Sequence, residues 1–465
     1  MLQSIDMGKL WELLSYDADS PLIFSSGLFL FLFAFFSLFY SFTARRVLPR
    51  IIYVTLFSLY FYYKSSGFYF LLLISVATSD YLIGRAIYVS QTVSRRKALV
   101  ALSLAIDLGM LAYFKYTNMF IDLVNVLRGG HIQFKDIFLP IGISFFTFQS
   151  LSYIIDIYRH RLRPVRRWID YLFYISFFPQ LVAGPIVRAR DFIPQIYRNP
   201  LNVSRTMFGE GVFLIICGLF KKAVISDFIS INFVDRVFDD PLLYTGLENL
   251  FGVYGYALQI YCDFSGYSDM AIGIALLLGF RFNKNFDSPY KSATITEFWR
   301  RWHISLSSWL KDYLYISLGG NRKGRIRTYL NLMVTMVLGG LWHGASLRFV
   351  IWGAIHGTAL AVHKGAMAMF PSFKAQGIDM KSPVRRLIGT LITFHVVCVG
   401  WIFFRAEDMK TVGDIFSQIF TSFDISILPQ FIAGYKGIMI LMLVGYALHF
   451  MPDSLEARAK RIVTS

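Results

Sequence analysis

Long apolar runs separated by short polar connections dominate this chain from residue 21 to residue 451. A helix needs about 20 apolar residues to cross the hydrocarbon core of a bilayer. Six segments meet or approach that length: residues 22–42, 98–114, 137–157, 348–370, 385–404 and 434–451. The pattern therefore predicts an all-α protein that crosses a membrane several times.

Further apolar segments are shorter or interrupted. Residues 51–63 and 68–83 predict two spans joined by a tight turn at 64–67. In the middle of the chain, four apolar segments contain or meet prolines, charges or glycines: residues 169–183, 208–234, 249–262 and 266–280. Broken helices at membrane depth are tolerated where protein or a water-filled cavity surrounds them. We therefore expect about eleven transmembrane helices, with re-entrant or broken helices around a cavity.

Composition agrees with a membrane location. The 465 residues are 55% hydrophobic and 16% charged, whereas about a quarter of the residues of a soluble domain are charged. We predict three regions: an amphipathic N-terminal lead-in at 1–20, a single transmembrane domain at 21–451 and a polar tail at 452–465. The first of these regions lacks the basic start and the cleavage pattern of a signal peptide.

The net charge of +17 comes from basic residues in short loops between apolar runs. Membrane topology explains this arrangement better than a nucleic-acid partner does, because cytoplasmic loops are enriched in Lys and Arg. The basic loops expected in the cytoplasm are Arg45 to Arg50, Arg85 to Lys97, Arg159 to Arg167 and Asn321 to Arg327. The three cysteines lie inside apolar runs without metal-site spacing, so we predict no metal site.

His343 ends an apolar run immediately behind Gly339 and Gly340. These glycines permit a kink or a close backbone approach. Histidine titrates near neutral pH, so a neutral imidazole there could accept a hydroxyl proton. Taken alone, this histidine is better explained by a structural hydrogen bond between helices.

A second motif, EFWRRWHISLSSWLKD, covers residues 297–312. A continuous helix would place Trp299, His303 and Leu306 on one face, although a plain interfacial helix remains the alternative. His356 follows His343 by 13 residues, which on a continuous helix is about 220° around the axis. We therefore expect His356 to be structural and not a partner of His343.

Two further clusters carry charge. Asp263 and Asp269 flank a glycine inside an apolar stretch, which predicts a helix break and either internal salt bridges or a cavity lining. A glycine-rich turn precedes Arg322, Lys323 and Arg325. These cations could bind the phosphates of a donor, or the loop could simply be a cytoplasmic one.

Together, residues 263–275, 297–324 and 339–357 closely resemble the membrane-bound O-acyltransferase family. Residues 23–33 and 177–196 are similar to its bacterial alginate O-acetyltransferase branch. The resemblance implies a ring of tilted helices around a central tunnel, with His343 as the catalytic histidine and His303 as a second functional position. We expect five residues to line the cavity: Asp263, Asp269, Trp299, Trp302 and Trp342.

The resemblance also implies a reaction. A cytoplasmic acyl thioester, with acetyl-coenzyme A as the expected donor substrate and no bound cofactor, would supply an acetyl group for an exported polysaccharide. Transfer would occur directly or through an extracytoplasmic partner transferase, in the inner membrane of a bacterium. Three alternatives stay open: D-alanyl transfer from a carrier protein to teichoic acid, a non-enzymatic transporter of polysaccharide precursors, and a structural subunit that recruits a soluble acetyltransferase.

Overall fold

The structure is a computed structural model that describes residues 6–198, 202–369 and 382–464. These residues form helices and connecting turns, and no β-strand occurs among them. The prediction of an all-α fold is therefore confirmed for the described part of the chain.

The helices fall into an N-terminal and a C-terminal series. The first comprises α1 (Met7–Leu14), α2 (Gly27–Thr43), α3 (Val47–Ser66), α4 (Phe70–Val89), α5 (Val93–Arg128), α6 (Ile143–Tyr158), α7 (Trp168–Ser176), α8 (Phe178–Leu181), α9 (Ala189–Ile196), α10 (Arg205–Leu219), α11 (Asp227–Ile229) and α12 (Asp235–Asp239). The second comprises α13 (Gly246–Leu277), α14 (Ile295–Arg301), α15 (Ile304–Trp309), α16 (Arg325–His343), α17 (Leu347–Met369), α18 (Pro383–Arg405), α19 (Met409–Thr421), α20 (Leu428–Gly434), α21 (Lys436–Phe450) and α22 (Asp453–Thr464).

Non-α helical turns connect several of these elements. Short 3₁₀ turns occupy Gly67–Tyr69, Pro241–Leu243 and Pro289–Lys291. π-Helical segments occupy Phe220–Ser226, Ser230–Val234 and Leu310–Tyr315. π-Helical turns are rare and are found frequently at functional sites.

Three helical segments among the described residues are long and apolar enough to cross a membrane. They are Val47–Val89, which includes the 3₁₀ turn that replaces the predicted turn at 64–67, Val93–Arg128 and Pro383–Arg405. A fourth span results if α20 and α21, bent by 91° relative to each other, count as one. Length and apolar composition thus indicate a membrane protein.

The chain divides into two compact units, Met1–Gly211 with Ala271–Phe282, and Val212–Met270 with Asn283–Ser465. In the first unit, the ring of Phe178 lies 5.0–6.4 Å from the rings of several other phenylalanines: Phe24, Phe29, Phe33, Phe36, Phe57, Phe61 and Phe177. α7 ends at Ser176 and α8 begins two residues later. The predicted broken span at 169–183 is therefore present, and its break leads directly into the aromatic cluster.

Arg50 was expected in a cytoplasmic loop, and this prediction is wrong. It lies within α3 and is fully buried. Its guanidinium donates hydrogen bonds to the carbonyl oxygens of Ala44, Ile196 and Arg198 at 2.7–2.9 Å. Arg50 thus satisfies carbonyl groups near the ends of α2 and α9, which explains how a charged group can be buried there.

α13 corrects a second prediction. The expected break at Asp263 and Gly266 is absent, because α13 runs continuously over 32 residues. A Cβ on Gly266 would lie 2.8 Å from the carbonyl oxygen of Gly218 in α10, and a Cβ on Gly218 would lie 2.5 Å from the carbonyl oxygen of Gly266. The two glycines therefore permit direct backbone contact between helices, and the irregular backbone occurs in the π-helical turns that follow α10.

Candidate active site

His343 is the last residue of α16 and is placed by the hairpin that α16 forms with α17. A Cβ on Gly340 would lie 2.1 Å from the carbonyl oxygen of Phe349, and a Cβ on Gly353 would lie 2.4 Å from that of Met336. The two helix backbones therefore touch at these glycines. The close approach expected from Gly339 and Gly340 occurs at Gly340.

Three aromatic rings surround His343. Its ring centroid lies 4.8 Å from that of Trp342, 5.2 Å from that of Trp352 and 5.0 Å from that of Phe404. All three pairs have interplanar angles of 72–80°, which is the favoured edge-to-face arrangement. We name Trp342, Trp352 and Phe404 the aromatic cage. The cage fixes the orientation of an imidazole that is only half-buried.

His303 lies at a helix break and not within a continuous helix over 297–312, so that prediction is wrong. α14 ends at Arg301, α15 begins at Ile304, and His303 between them has φ 42° and ψ 57°. This left-handed conformation is uncommon for a residue with a Cβ. Trp299 and Leu306 consequently belong to different helices and do not share a helix face with His303.

Asn285 holds this break in place. Its backbone carbonyl accepts from the N–H of Ile304 at 2.8 Å. Its side-chain oxygen, Oδ1, accepts from the N–H and the hydroxyl of Ser305 at 3.1 and 2.9 Å and lies 3.2 Å from Nδ1 of His303. Its side-chain Nδ2 donates to Ser268 Oγ at 3.0 Å. Sequence reasoning missed Asn285, because it lies in the connection between α13 and α14 and its partners His303 and Ser305 are 18 and 20 residues later.

The two candidate histidines approach the same tryptophan. The ring of Trp342 lies 4.8 Å from His343 and 6.4 Å from His303. His303 is 1% exposed, and its Nε2 has no hydrogen-bond partner among the described residues. The structure therefore brings together the pair expected from sequence, one half-exposed and one enclosed.

His356 lies closer to this group than helical spacing predicted. The argument assumed one continuous helix, but α16 ends at His343 and α17 begins at Leu347. The ring of His356 lies 4.8 Å from Trp352 and 5.1 Å from Trp299. His343 and His356 therefore contact the same ring, that of Trp352, from different helices.

The predicted tryptophans all belong to this aromatic region. Trp302 is buried, with ring centroids 4.9 Å from Trp401 and 5.1 Å from Phe286. Trp299 is half-buried and lies 5.7 Å from Trp352. α14, which carries Trp299, begins at Ile295 and is N-capped by Thr294, whose hydroxyl accepts from the N–H of Glu297.

Asp263 and Asp269 form ion pairs with neighbouring lysines. Lys221 Nζ lies 2.7 Å from Asp269 Oδ2, and Lys222 Nζ lies 2.6 Å from Asp263 Oδ1 and 2.7 Å from Asp227 Oδ1. Of the two roles predicted for these carboxylates, the salt bridge is therefore present. The lysines lie in a π-helical turn and the two aspartates on the continuous α13.

We predict that Asp269→Asn destabilises the protein more than Asp263→Asn does. Asp269 is the one carboxylate paired with Lys221 among the described residues, whereas Lys222 keeps Asp227 when Asp263 is changed. Loss of the partner of a poorly solvated charge costs about 1–3 kcal/mol. Thermal unfolding in detergent measures the difference. A loss for Asp263→Asn equal to or larger than that for Asp269→Asn would contradict this assignment.

Arg322, Lys323 and Arg325 lie away from His343. All three are exposed, and Arg325 is the first residue of the helix that His343 ends. At 1.5 Å per residue, 18 residues of helix separate the two ends by about 27 Å. Asn331 fixes the preceding glycine turn by donating to the carbonyl oxygens of Gly320 and Leu318. The structure thus does not place these cations beside His343.

Comparison with known proteins places this geometry in a family. Residues 166–400, which contain the α16–α17 hairpin and both candidate histidines, match the family model of the membrane-bound O-acyltransferases. The chain belongs to the membrane-bound O-acyltransferase family. As a member it is an O-acyltransferase, in agreement with the resemblance read from its motifs.

Relatives of this O-acyltransferase extend the similarity beyond the matched segment. It is 38% identical over 430 residues to the probable alginate O-acetylase AlgI of Pseudomonas syringae pv. tomato, covering 91% of this chain and 80% of the relative. It is 40% identical over 407 residues to the protein of that name from Pseudomonas aeruginosa, covering 86% and 75%. A peptidoglycan O-acetyltransferase of Helicobacter pylori is 34% identical over 420 residues, covering 84% and 78%.

Proposed function

We propose that this protein transfers an acetyl group from a cytoplasmic acyl thioester to a hydroxyl of an exported polysaccharide. The observation that carries the proposal is the half-exposed imidazole of His343, held by the aromatic cage where the α16–α17 hairpin turns. Relatives named alginate O-acetylase and peptidoglycan O-acetyltransferase support a polysaccharide acceptor and an acetyl donor.

In this proposal His343 acts as the general base. The acceptor oxygen attacks the thioester carbonyl carbon while the imidazole takes the hydroxyl proton. The carbon–sulfur bond then breaks, and the leaving thiolate recovers the proton from the imidazolium. General base catalysis contributes about 10²- to 10⁴-fold in rate, and positioning of the two substrates supplies the remainder. His303 binds or orients a substrate.

The donor is proposed to be acetyl-coenzyme A, bound as a substrate. Arg322, Lys323 and Arg325 would bind its phosphates at the start of α16. Because these cations lie about 27 Å along the helix from His343, the donor would bind extended, with its thioester at the far end from its phosphates. Exposed arginine and lysine side chains suit phosphate groups.

The cellular setting belongs to the same proposal. The protein would be a multi-pass protein of the bacterial inner membrane, with about eleven tilted helices around a central tunnel. An extracytoplasmic transferase would complete delivery to the polymer where transfer is not direct. The three long apolar helical segments, the bent pair α20 and α21, and the basic surplus support a membrane location.

Purified protein incubated with acetyl-labelled coenzyme A and an acidic oligosaccharide acceptor tests the reaction. We expect consumption of the thioester and appearance of label in the acceptor, or in an added extracytoplasmic partner. A transporter would leave the thioester intact, and such a result would contradict the proposal. Label transferred only from a D-alanyl carrier protein would favour the teichoic-acid alternative instead.

A further inference from the structure

The side-chain amide of Asn285 has one orientation that fits its neighbours. The N–H of Ser305 is a fixed backbone donor, so the Asn285 atom facing it at 3.1 Å has to be the oxygen. The opposite end of the amide, Nδ2, then faces the hydroxyl of Ser268. Both contacts are satisfied in this orientation, and exchange of oxygen and nitrogen would place two donors against each other.

That orientation determines the tautomer of His303. Asn285 Oδ1 is an acceptor and lies 3.2 Å from Nδ1 of His303. The Ser305 hydroxyl lies 3.4 Å from the same Nδ1, but it donates its hydrogen to Asn285 Oδ1 at 2.9 Å and so faces Nδ1 with a lone pair. Attractive contacts with both oxygens therefore require hydrogen on Nδ1. In a neutral imidazole the other nitrogen then carries a lone pair and accepts hydrogen bonds. The free nitrogen is Nε2, which is buried and has no partner among the described residues.

We infer that Asn285 is a positioning residue that holds His303 in its Nδ1–H form, so that Nε2 accepts a hydrogen bond from an N–H or O–H group of the substrate. This inference rests on the proposed function, and it makes the role of His303 more specific. A second histidine near an acyl-transfer centre could donate to the oxyanion of the intermediate. With Nε2 unprotonated, His303 would serve as an acceptor instead.

Two observations support a role in binding a substrate. A buried polar nitrogen without a partner costs free energy, so its retention is explained by a group that arrives with the substrate. In addition, the backbone of His303 adopts a left-handed conformation. Such strain persists where surrounding contacts enforce it and is found at ligand sites. Here Asn285 enforces it through its backbone and side-chain oxygens together.

The test compares three variants by steady-state transfer from acetyl-labelled coenzyme A, after normalisation to folded protein. Asn285→Leu removes the acceptor oxygen at similar volume, whereas Asn285→Asp keeps an oxygen facing both Nδ1 and the Ser305 N–H. Asn249→Leu is the matched control. It removes another fully buried amide, whose Nδ2 donates to the carbonyl oxygens of Pro241, Tyr244 and Thr245.

We expect Asn285→Leu to lower kcat about 10- to 100-fold, as loss of the partner that orients a functional histidine does elsewhere. Because the variant keeps the imidazole of His303 and loses only its orientation, the effect should appear in kcat through misalignment of the bound substrate. The KM for the donor should stay within about threefold, and Asn285→Asp should recover most of kcat. Asn249→Leu should lower the thermal midpoint but keep kcat within about threefold.

Two results would overturn the inference while the wild-type protein is active. One is an Asn285→Leu variant whose kcat matches that of Asn249→Leu. The other is an Asn285→Asp variant as inactive as Asn285→Leu. Wild-type protein that transfers no acetyl group would instead overturn the proposed function, and this inference with it.

Discussion

His343→Ala is expected to lower acetyl transfer by about 10²- to 10⁴-fold, the contribution of a general base. The variant loses the imidazole but keeps the α16–α17 hairpin, because the backbone contact at Gly340 and Gly353 does not involve this side chain. Label incorporated into the acceptor, divided by the amount of folded protein from gel filtration, measures the loss.

His395→Ala is the matched control for that experiment. His395 is exposed and bonds to the hydroxyl of Tyr254 and to the carbonyl oxygen of Leu391, so its loss should leave transfer within about threefold of wild type. A folded His343→Ala protein with wild-type transfer would contradict the role of His343 as base. Equal losses in both variants would point to a general effect of removing a histidine from these helices.

Local pattern predicts the helices of this protein well but not all of their ends. Apolar runs at 348–370 and 385–404 correspond to α17 and α18, because continuous hydrophobicity over a span needs no information from elsewhere in the chain. Residues 98–114 lie inside the much longer α5, Val93–Arg128. Lys115 to Asn118 interrupt the apolar run, so the predicted segment stops there, whereas the helix continues through the apolar residues that follow Met119.

Breaks depend on contacts that are distant in sequence. The residues between 297 and 312 contain no proline or glycine that would predict a helix break at His303. Asn285, 18 residues earlier, holds the break in place. Conversely, Gly266 predicts a helix break, yet the helix continues through it and its backbone contacts that of Gly218 in a different helix. A glycine in an apolar segment thus indicates a special backbone requirement without stating which one.

In the candidate site, too, some features follow from local sequence and others only from tertiary contacts. The motif around His343 predicts a histidine where two helices approach closely, because the neighbouring glycines are adjacent to it in sequence. Trp352 and His356 lie four residues apart on α17, and their contact follows from helical spacing. The contact of His343 with Trp352 instead depends on the chain reversal between α16 and α17, which the assumption of one continuous helix leaves out. The aromatic cage combines Trp342 and Trp352 with Phe404 of α18, a combination that only tertiary packing produces.

Gly353→Ala is expected to push apart α16 and α17, the two helices of the hairpin that positions His343. The new Cβ would lie 2.4 Å from the carbonyl oxygen of Met336 and 2.8 Å from the Cα of Val337. These are backbone atoms that cannot move aside as a side chain would, so the helices have to shift at a cost of about 1–3 kcal/mol. A displacement of about 1 Å can lower a reaction rate about 10²-fold, and we expect both a lower thermal midpoint and a loss of that size in transfer.

Gly365→Ala is the matched control. Gly365 lies on the same helix, and the nearest atom to a Cβ added there is Tyr329 Oη at 3.7 Å. This variant should match wild type or be slightly more stable, because alanine favours a helix. If Gly353→Ala behaved like Gly365→Ala in both measurements, the helix crossing would not be what positions His343.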